Sequence, residues 1–171
     1  MSAARHVVLP SPIGELTVVA VDGAITHLLM DAAKYRPADH EVLGAPASPD
    51  EEPFATAAHQ LGAYFAGELR DFALPLAPRG DDFHQRVWAL LRDIPYGETR
   101  TYGDLARALG DRNLAQAVGT ANGRNPIAIV VPCHRVIGSD GSLVGYAGGL
   151  ERKRFLLALE EPPAGDAGRL F

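Results

Sequence analysis

With a single cysteine, Cys133, in 171 residues, this chain can form no internal disulfide, so its fold has to rest on a packed apolar core. The composition allows it: 47% of the residues are hydrophobic, enough for one domain of ordinary size or two small ones. The place of the cysteine is as informative as its number. It lies in Val131-Pro132-Cys133-His134-Arg135-Val136, after the apolar run Pro126-Ile127-Ala128-Ile129-Val130-Val131. A glycine turn, Gly138-Ser139-Asp140-Gly141, and the segment Tyr146-Ala147-Gly148-Gly149-Leu150 follow. A strand-like run ending in Pro-Cys-His presents a thiol at a fixed place beside an imidazole that can draw off its proton, leaving the nucleophilic thiolate. A lone cysteine more often packs as a small hydrophobe. Glycines on both sides cost chain entropy that mere packing does not require, and they tip the reading toward chemistry.

The rest of the chain divides in two. Residues 6–30 read as a small antiparallel sheet, with β-branched residues from Glu15 to Val21, a hairpin turn at Asp22-Gly23 and a return strand from Ala24 to Met30. Four prolines between residues 36 and 53 indicate a surface loop. Phe54, Ala58, Leu61, Phe65 and Leu69 then recur at helical spacing, giving one amphipathic helix to cover the sheet. An extended exit from Asp71 to Pro78 follows as a linker. Beyond it, Phe83, Val87, Leu90, Leu91 and Ile94 form the stripe of a helix, with Asp82 as N-cap, Gln85 as its N3 partner and Pro95-Tyr96-Gly97 as the stop. Thr101 and Asp104 predict a capping box for a second helix that ends at Gly110, and Asn113 is positioned to cap a third from Leu114 to about Asn122. Two short helices joined by a glycine-containing turn form a helix-turn-helix pattern. The fold class is therefore α+β: a small antiparallel-sheet domain with a covering helix over residues 1–78, and a mostly helical domain over residues 79–171 that holds the helix-turn-helix and the Pro-Cys-His-Arg loop.

A net charge of -5 argues against a nucleic-acid partner until its distribution is considered. The acidic excess lies in residues 1–78; residues 79–160 carry 11 Lys+Arg against 9 Asp+Glu. That balance suits moderate, salt-sensitive binding to phosphates. The longest apolar run, near residues 126–133, is far short of the roughly 20 residues of a membrane helix. No apolar segment of signal length follows Arg5, and no Cys/His cluster of metal-binding type is present, so a cytoplasmic, metal-free protein is expected.

The segments Asn125–Gly138 and Gly145–Leu150 resemble the active-site signature of the O6-alkylguanine-DNA alkyltransferases. The likeness extends back through Phe83–Trp88, Ile94–Thr99 and Thr101–Ala106 and on to Glu160. The N-terminal half resembles that of bacterial members at Ser11–Gly14 and Tyr64–Leu69, which implies a ribonuclease H-like N-terminal domain. The resemblance implies transfer of an alkyl group from O6 of guanine, or O4 of thymine, in DNA to the sulfur of Cys133. The step is an SN2 displacement that leaves a thioether, needs no cofactor and consumes the protein. By the same resemblance His134 takes the thiol proton through a water, Glu160 holds the imidazole, and Asn125 shapes the turn beside the active-site wall. Tyr102 donates to the N3 edge of the base, while the carbonyls of Cys133 and Val136 and the NH of Ala147 read its edge with Tyr146 beside them. The implied partner is double-stranded DNA, bound through the minor groove by a monomer that flips the damaged base out. Gln116, Ala115, Thr120, Arg124 and Arg135 are the candidate DNA contacts.

Several of these residues also have plainer readings. Tyr102 lies on the apolar stripe of its helix, Glu160 alone would be a solvated helix-end acid, and Glu151–Arg154 read as a solvated face. Gln116 stands where the family normally carries an arginine that fills the space left by the flipped base, yet it is also three residues from Asn113 and suited to a capping box. Two other functions compete with alkyl transfer: a lesion sensor of the alkyltransferase-like class, which Cys133 argues against, and a Cys-His acyl hydrolase, which would need an oxyanion site.

Overall fold

The computed structural model describes residues 3–161. Three antiparallel strands, β1 (Arg5–Leu9), β2 (Leu16–Val21) and β3 (Ala24–Met30), form a sheet in the order β3-β2-β1-β4, in which β4 (Ala45–Pro46) runs parallel to β1. Asp22 and Gly23 both take positive φ, 53° and 79°, the geometry of a tight hairpin turn between β2 and β3. Residues Leu16–Ala20 of the central strand are all buried. The proline-rich stretch is not a bare loop: it contains a one-turn helix, α1 (Asp39–Val42), and β4. The covering helix, α2 (Phe54–Phe65), buries Phe54, Ala57, Leu61 and Tyr64 and stops before Leu69, where Gly67 turns the chain at φ 77°.

The outer edge of β3 is where the two halves meet. Ile25 accepts the linker, with its N–H on the Pro75 carbonyl at 2.8 Å and its carbonyl taking the Ala77 N–H at 2.8 Å. Three residues on, the Leu28 N–H donates to Pro126 at 2.9 Å and the Leu28 carbonyl receives Ala128 N–H at 3.3 Å. The sheet edge is thereby paired, and the segment that leads to Cys133 is docked on it. That segment is not the strand its apolar run predicts. Past Ala128 it coils, with Ile129 at φ 72° and the Val131 N–H returning to the Ile127 carbonyl at 3.0 Å. Burial of every second side chain among Ile127, Ile129 and Val131 is kept, so period-two patterning reports burial here and not strand geometry.

The second half is helical: α3 (Asp82–Arg92), α4 (Tyr102–Ala108), a single 3-10 turn (Arg112–Leu114), α5 (Ala115–Gly123) and α6 (Leu150–Glu160). A two-residue parallel pairing joins β5 (Arg100–Thr101) to β6 (Val136–Ile137), directly after the Cys133–Arg135 3-10 turn. The capping box of α4 is present as expected, Thr101 accepting from Asp104 N–H at 3.0 Å and Asp104 from Thr101 N–H at 2.9 Å. Two other caps differ. Asp81, not Asp82, caps α3 through the His84 N–H, and Gln85 donates to the Pro78 carbonyl instead of to the cap. Asp111, not Asn113, caps the turn before α5, so Gln116 has no capping role and is exposed. Both carboxylates come one or two residues earlier than expected, because a 3-10 turn or an extended residue precedes the regular helix. One continuous apolar cluster runs from Val7 of β1 through Trp88, Val118 and Cys133 to Leu156 of α6.

Candidate active site

Cys133 opens its 3-10 turn with 6% of its surface exposed, behind the buried Pro132. Asn125 holds the approach to it by two hydrogen bonds. Its Oδ1 accepts from Ile127 N–H at 3.0 Å and its Nδ2 donates to the Val131 carbonyl at 2.7 Å, stapling the coil before the nucleophile to a point two residues beyond α5. Burial pushes the thiol pKa up, against the opposing pull of Asn125, the Lys153 charge and Tyr146. The resting sulfur is therefore a thiol that needs a base.

His134 is wholly buried, and its Nε2 lies 2.7 Å from Glu160 Oε2 at the last residue of α6. With a carboxylate there, Nε2 carries the proton and Nδ1 is the bare acceptor. Nδ1 is buried and has no hydrogen-bond partner among the described residues. Burial lowers the imidazole pKa in spite of Glu160, which pulls it up, so the ring rests neutral with Nδ1 free to accept a proton. Glu160 is itself crowded with donors. Arg135 Nε reaches Oε1 at 2.8 Å and Nη2 reaches Oε2 at 3.0 Å, and the Tyr64 hydroxyl from α2 donates to Oε2 at 2.6 Å. Burial alone would raise this carboxyl, but hydrogen bonds from His134 and Arg135 overcome it and hold its pKa at about 2.

Arg135, expected on DNA, is instead a buried partner of Glu160, and its Nη1 donates to the Ile94 carbonyl at 2.6 Å. A charge already committed to a carboxylate and a carbonyl is not available to a phosphate. The face Glu151–Arg154 is likewise not a simple solvated one. Lys153 is fully buried, with Nζ on the carbonyls of Val136 at 2.6 Å, Gly145 at 3.1 Å and Val144 at 3.2 Å. Burial brings its pKa down to about 8 although the Cys133 sulfur pulls it up. Lys153 thus clasps the segment Val136–Gly145 from below and sets a cation near the sulfur. Neither the role of Lys153 nor that of Tyr64 was legible in the sequence, since a lysine inside a basic run and a tyrosine beside the expected apolar stripe of its helix carry no local mark of such partners.

Two cavities adjoin the site. One of about 260 Å³ is lined by Cys133, Asn125, Tyr146, Met30, Tyr35 and Arg124. The other, of about 390 Å³, lies between Tyr102, Gly119 and Asn122 on one side and Tyr146, Ala147 and Leu150 on the other. Tyr146 and Tyr35 line both. A Cβ at Gly148 would lie 2.6 Å from Met30 Sδ and 2.9 Å from the Tyr146 ring, so a larger residue there forces those side chains to shift. The Tyr102 hydroxyl donates to the Val144 carbonyl at 3.0 Å, the Ala147 carbonyl receives Lys34 N–H at 2.7 Å, and Val136 is buried with its carbonyl on Lys153. On the outer side, Thr120 and Arg124 are exposed with Gln116 on α5, Ala115 is half-buried, and Arg124 stacks 4.0 Å over the Tyr35 ring.

A buried thiol followed by an imidazole that is fixed by a carboxylate, on a fold with a helix pair beside the cavity, defines a protein built for one nucleophilic sulfur. The comparisons with known proteins give it a family. Residues 5–78 match the ribonuclease-like domain of 6-O-methylguanine DNA methyltransferase and residues 82–162 match its DNA-binding domain. The chain is 55% identical over 150 residues, 88% of each chain, to the methylated-DNA--protein-cysteine methyltransferase of Mycolicibacterium paratuberculosis. Its fold is similar to the crystal structure of the Mycobacterium tuberculosis O6-methylguanine methyltransferase, with a TM-score of 0.84, 49% identity, and 94% of this chain and 96% of that one covered. It is also similar to the Mycobacterium tuberculosis OGT solved in complex with DNA, with a TM-score of 0.82, 51% identity and 92% of each chain covered. This chain belongs to the 6-O-methylguanine DNA methyltransferase family.

Proposed function

We propose that this protein repairs O6-alkylguanine in double-stranded DNA, and O4-alkylthymine with it, by moving the alkyl group once and irreversibly to Cys133. The observation that carries the reading is the order Cys133, His134, Glu160: a buried thiol, then an imidazole whose Nε2 is committed to a carboxylate and whose Nδ1 is left as acceptor. The thiol proton passes through a water to Nδ1, and the imidazolium that forms is stabilised by Glu160, the logic of a triad. The sulfur then forms a bond to the alkyl carbon as the carbon–O6 bond breaks, and the electron pair leaves with guanine. Tyr102 donates toward the negative charge that develops on the base, which takes up one proton as it departs. A thioether remains, and water does not hydrolyse it.

The base has to leave the stack before the sulfur can reach it. In our reading residues 79–171 form the DNA-binding and transfer unit, residues 1–78 support it, and a monomer in the cytoplasm lays α5 in the minor groove. Ala115 and Gly119 allow close approach there, Thr120 and Arg124 meet the backbone, and the exposed Gln116 enters the space the base leaves. Glutamine is uncharged and shorter than the arginine that the family resemblance leads one to expect there, so it wedges and hydrogen-bonds without a cation–π contact.

The test is the intact mass after mixing with a duplex containing O6-methylguanine. A permanent gain of one methyl group is expected, with none for Cys133→Ala, which should still bind the duplex. A Cys133→Ala protein that accepted methyl would exclude this nucleophile. An unchanged wild-type mass would favour a lesion sensor, and unchanged mass with turnover of a thioester would favour a hydrolase.

A further inference from the structure

We propose that Asn122 is a specificity-determining residue of this site, its side-chain oxygen accepting a hydrogen bond from the exocyclic 2-amino group of the flipped guanine. The inference rests on the alkyl-transfer reading above and adds a residue that neither the sequence nor the family resemblance singles out. Asn122 lies on the inner face of α5, 4% exposed, and lines the cleft between Tyr102 and Tyr146. Its Nδ2 donates to the Cys133 carbonyl at 3.4 Å, and its Oδ1 is buried with no hydrogen-bond partner among the described residues. Turning the amide over would set two oxygens against each other at that carbonyl and withdraw the donor that Asn122 offers the Tyr102 hydroxyl, so the orientation that leaves Oδ1 as the open acceptor is the favoured one.

Acceptor counting points the same way. The Cys133 carbonyl, expected to read the base edge, already receives both the Val136 N–H and Asn122 Nδ2, one for each lone pair. The Val136 carbonyl, the other expected reader, receives Lys153 Nζ at 2.6 Å. Asn122 Oδ1, by contrast, is a buried side-chain oxygen that receives no donor among the described residues, on a residue that lines the cleft. A buried polar atom without a partner is rare and costly in a folded protein, and a substrate donor is the simplest compensation. The face it presents has a chemical preference. O6-methylguanine offers two amino hydrogens to it, whereas O4-methylthymine has no donor on its pairing edge.

Single-turnover methyl transfer to wild type, Asn122→Ala and Asn122→Leu should be compared on two duplexes, one containing O6-methylguanine and one O6-methylhypoxanthine, which lacks only the 2-amino group. Wild type should favour the guanine duplex, and each variant should cut that preference roughly three- to tenfold, as expected for one hydrogen bond to a matched donor. The cut should come from slower guanine repair, with the hypoxanthine rate within about twofold of wild type. If both substrates slow equally, Asn122 only holds the Cys133 carbonyl and the proposal is overturned. Equal wild-type rates on the two duplexes overturn it as well, with no variant needed. Asn122→Ser replaces either variant that fails to fold. An absence of any wild-type mass gain would instead remove the transfer reading itself, an outcome distinct from a methyl gain with an unchanged preference.

Discussion

The two sides of His134 are built on opposite plans. Toward Glu160 every strong group is matched: Arg135, Tyr64 and the imidazole all donate to one carboxylate, and Arg135 has the Ile94 carbonyl besides. Toward Cys133 the polar atoms are thinly partnered: among the described residues His134 Nδ1 and Asn122 Oδ1 have no hydrogen-bond partner, and the Tyr146 hydroxyl has only the Cys133 sulfur beside it. The first side resembles the interior of any stable domain, in which buried polar groups are satisfied. The second leaves open the groups that a thiol proton and a base edge would meet. Fixing one face of the imidazole rigidly is what allows the other to remain incomplete without losing its aim.

That contrast is sharpest at Glu160. Glu160→Gln removes the charge that Arg135 and His134 were buried against, and the protein should lose roughly 3 kcal/mol or more of unfolding free energy in urea titrations at neutral pH. Alkylation should slow as well, because an amide does not stabilise the imidazolium. The same carboxylate sets an acid limit. Its pKa is about 2 in the folded protein against an ordinary 4.5, so its contribution is complete above about pH 4.5 and is lost as pH falls toward 2. Urea midpoints measured from pH 6 down to 3 should fall for wild type and stay flatter for Glu160→Gln. Parallel curves would mean that the matched side contributes no more than its surroundings.

Tyr64→Phe tests the same side with a smaller change. It deletes one hydroxyl that donates to a charged oxygen at 2.6 Å, and a loss of about 2 kcal/mol is expected. The hydroxyl comes from α2, far from the thiol in sequence, so a measurable drop in alkylation rate would show that the sheet half of the molecule supports the chemistry through Glu160.

The two sides also differ in how far the sequence discloses them. The β2–β3 hairpin and the α4 capping box follow from local rules, since Asp22-Gly23 and Thr101–Asp104 act within a few residues. Cys133, His134 and Glu160 were legible through their motif and the family resemblance. The support for Glu160 was not. Tyr64 lies 96 residues from Glu160, and the buried Lys153 stands in a run that reads as solvated, so only the three-dimensional packing reveals either. Arg135 shows the converse error: an arginine beside an active-site cysteine looks like a phosphate contact until the carboxylate that claims it is placed. The apolar run before Cys133 misled in a third way, because β3 pairs with it only around Ile127 before it coils.

The smallest expected effect gives the sharpest contrast between the sides. Tyr146 and Tyr64 are both tyrosines with buried hydroxyls near the site, yet the Tyr146 hydroxyl has only the neutral Cys133 sulfur beside it, where Tyr64 donates to a carboxylate. Deleting a hydroxyl that donates to a carboxylate costs a charge-assisted bond, whereas deleting one that meets only a neutral thiol costs a weak contact. Tyr146→Phe should therefore leave the urea midpoint within about 0.5 kcal/mol of wild type, or raise it slightly, where Tyr64→Phe lowers it. The two variants should separate again in reactivity. The Tyr146 hydroxyl helps to draw the thiol pKa down against burial, so its loss should move the pH profile of Cys133 alkylation upward while stability holds. Thermal melts and iodoacetamide rates on the same two proteins measure both quantities. A Tyr146→Phe protein as destabilised as Tyr64→Phe would mean that the open side is satisfied in solution, and the division of labour across His134 would fall with it.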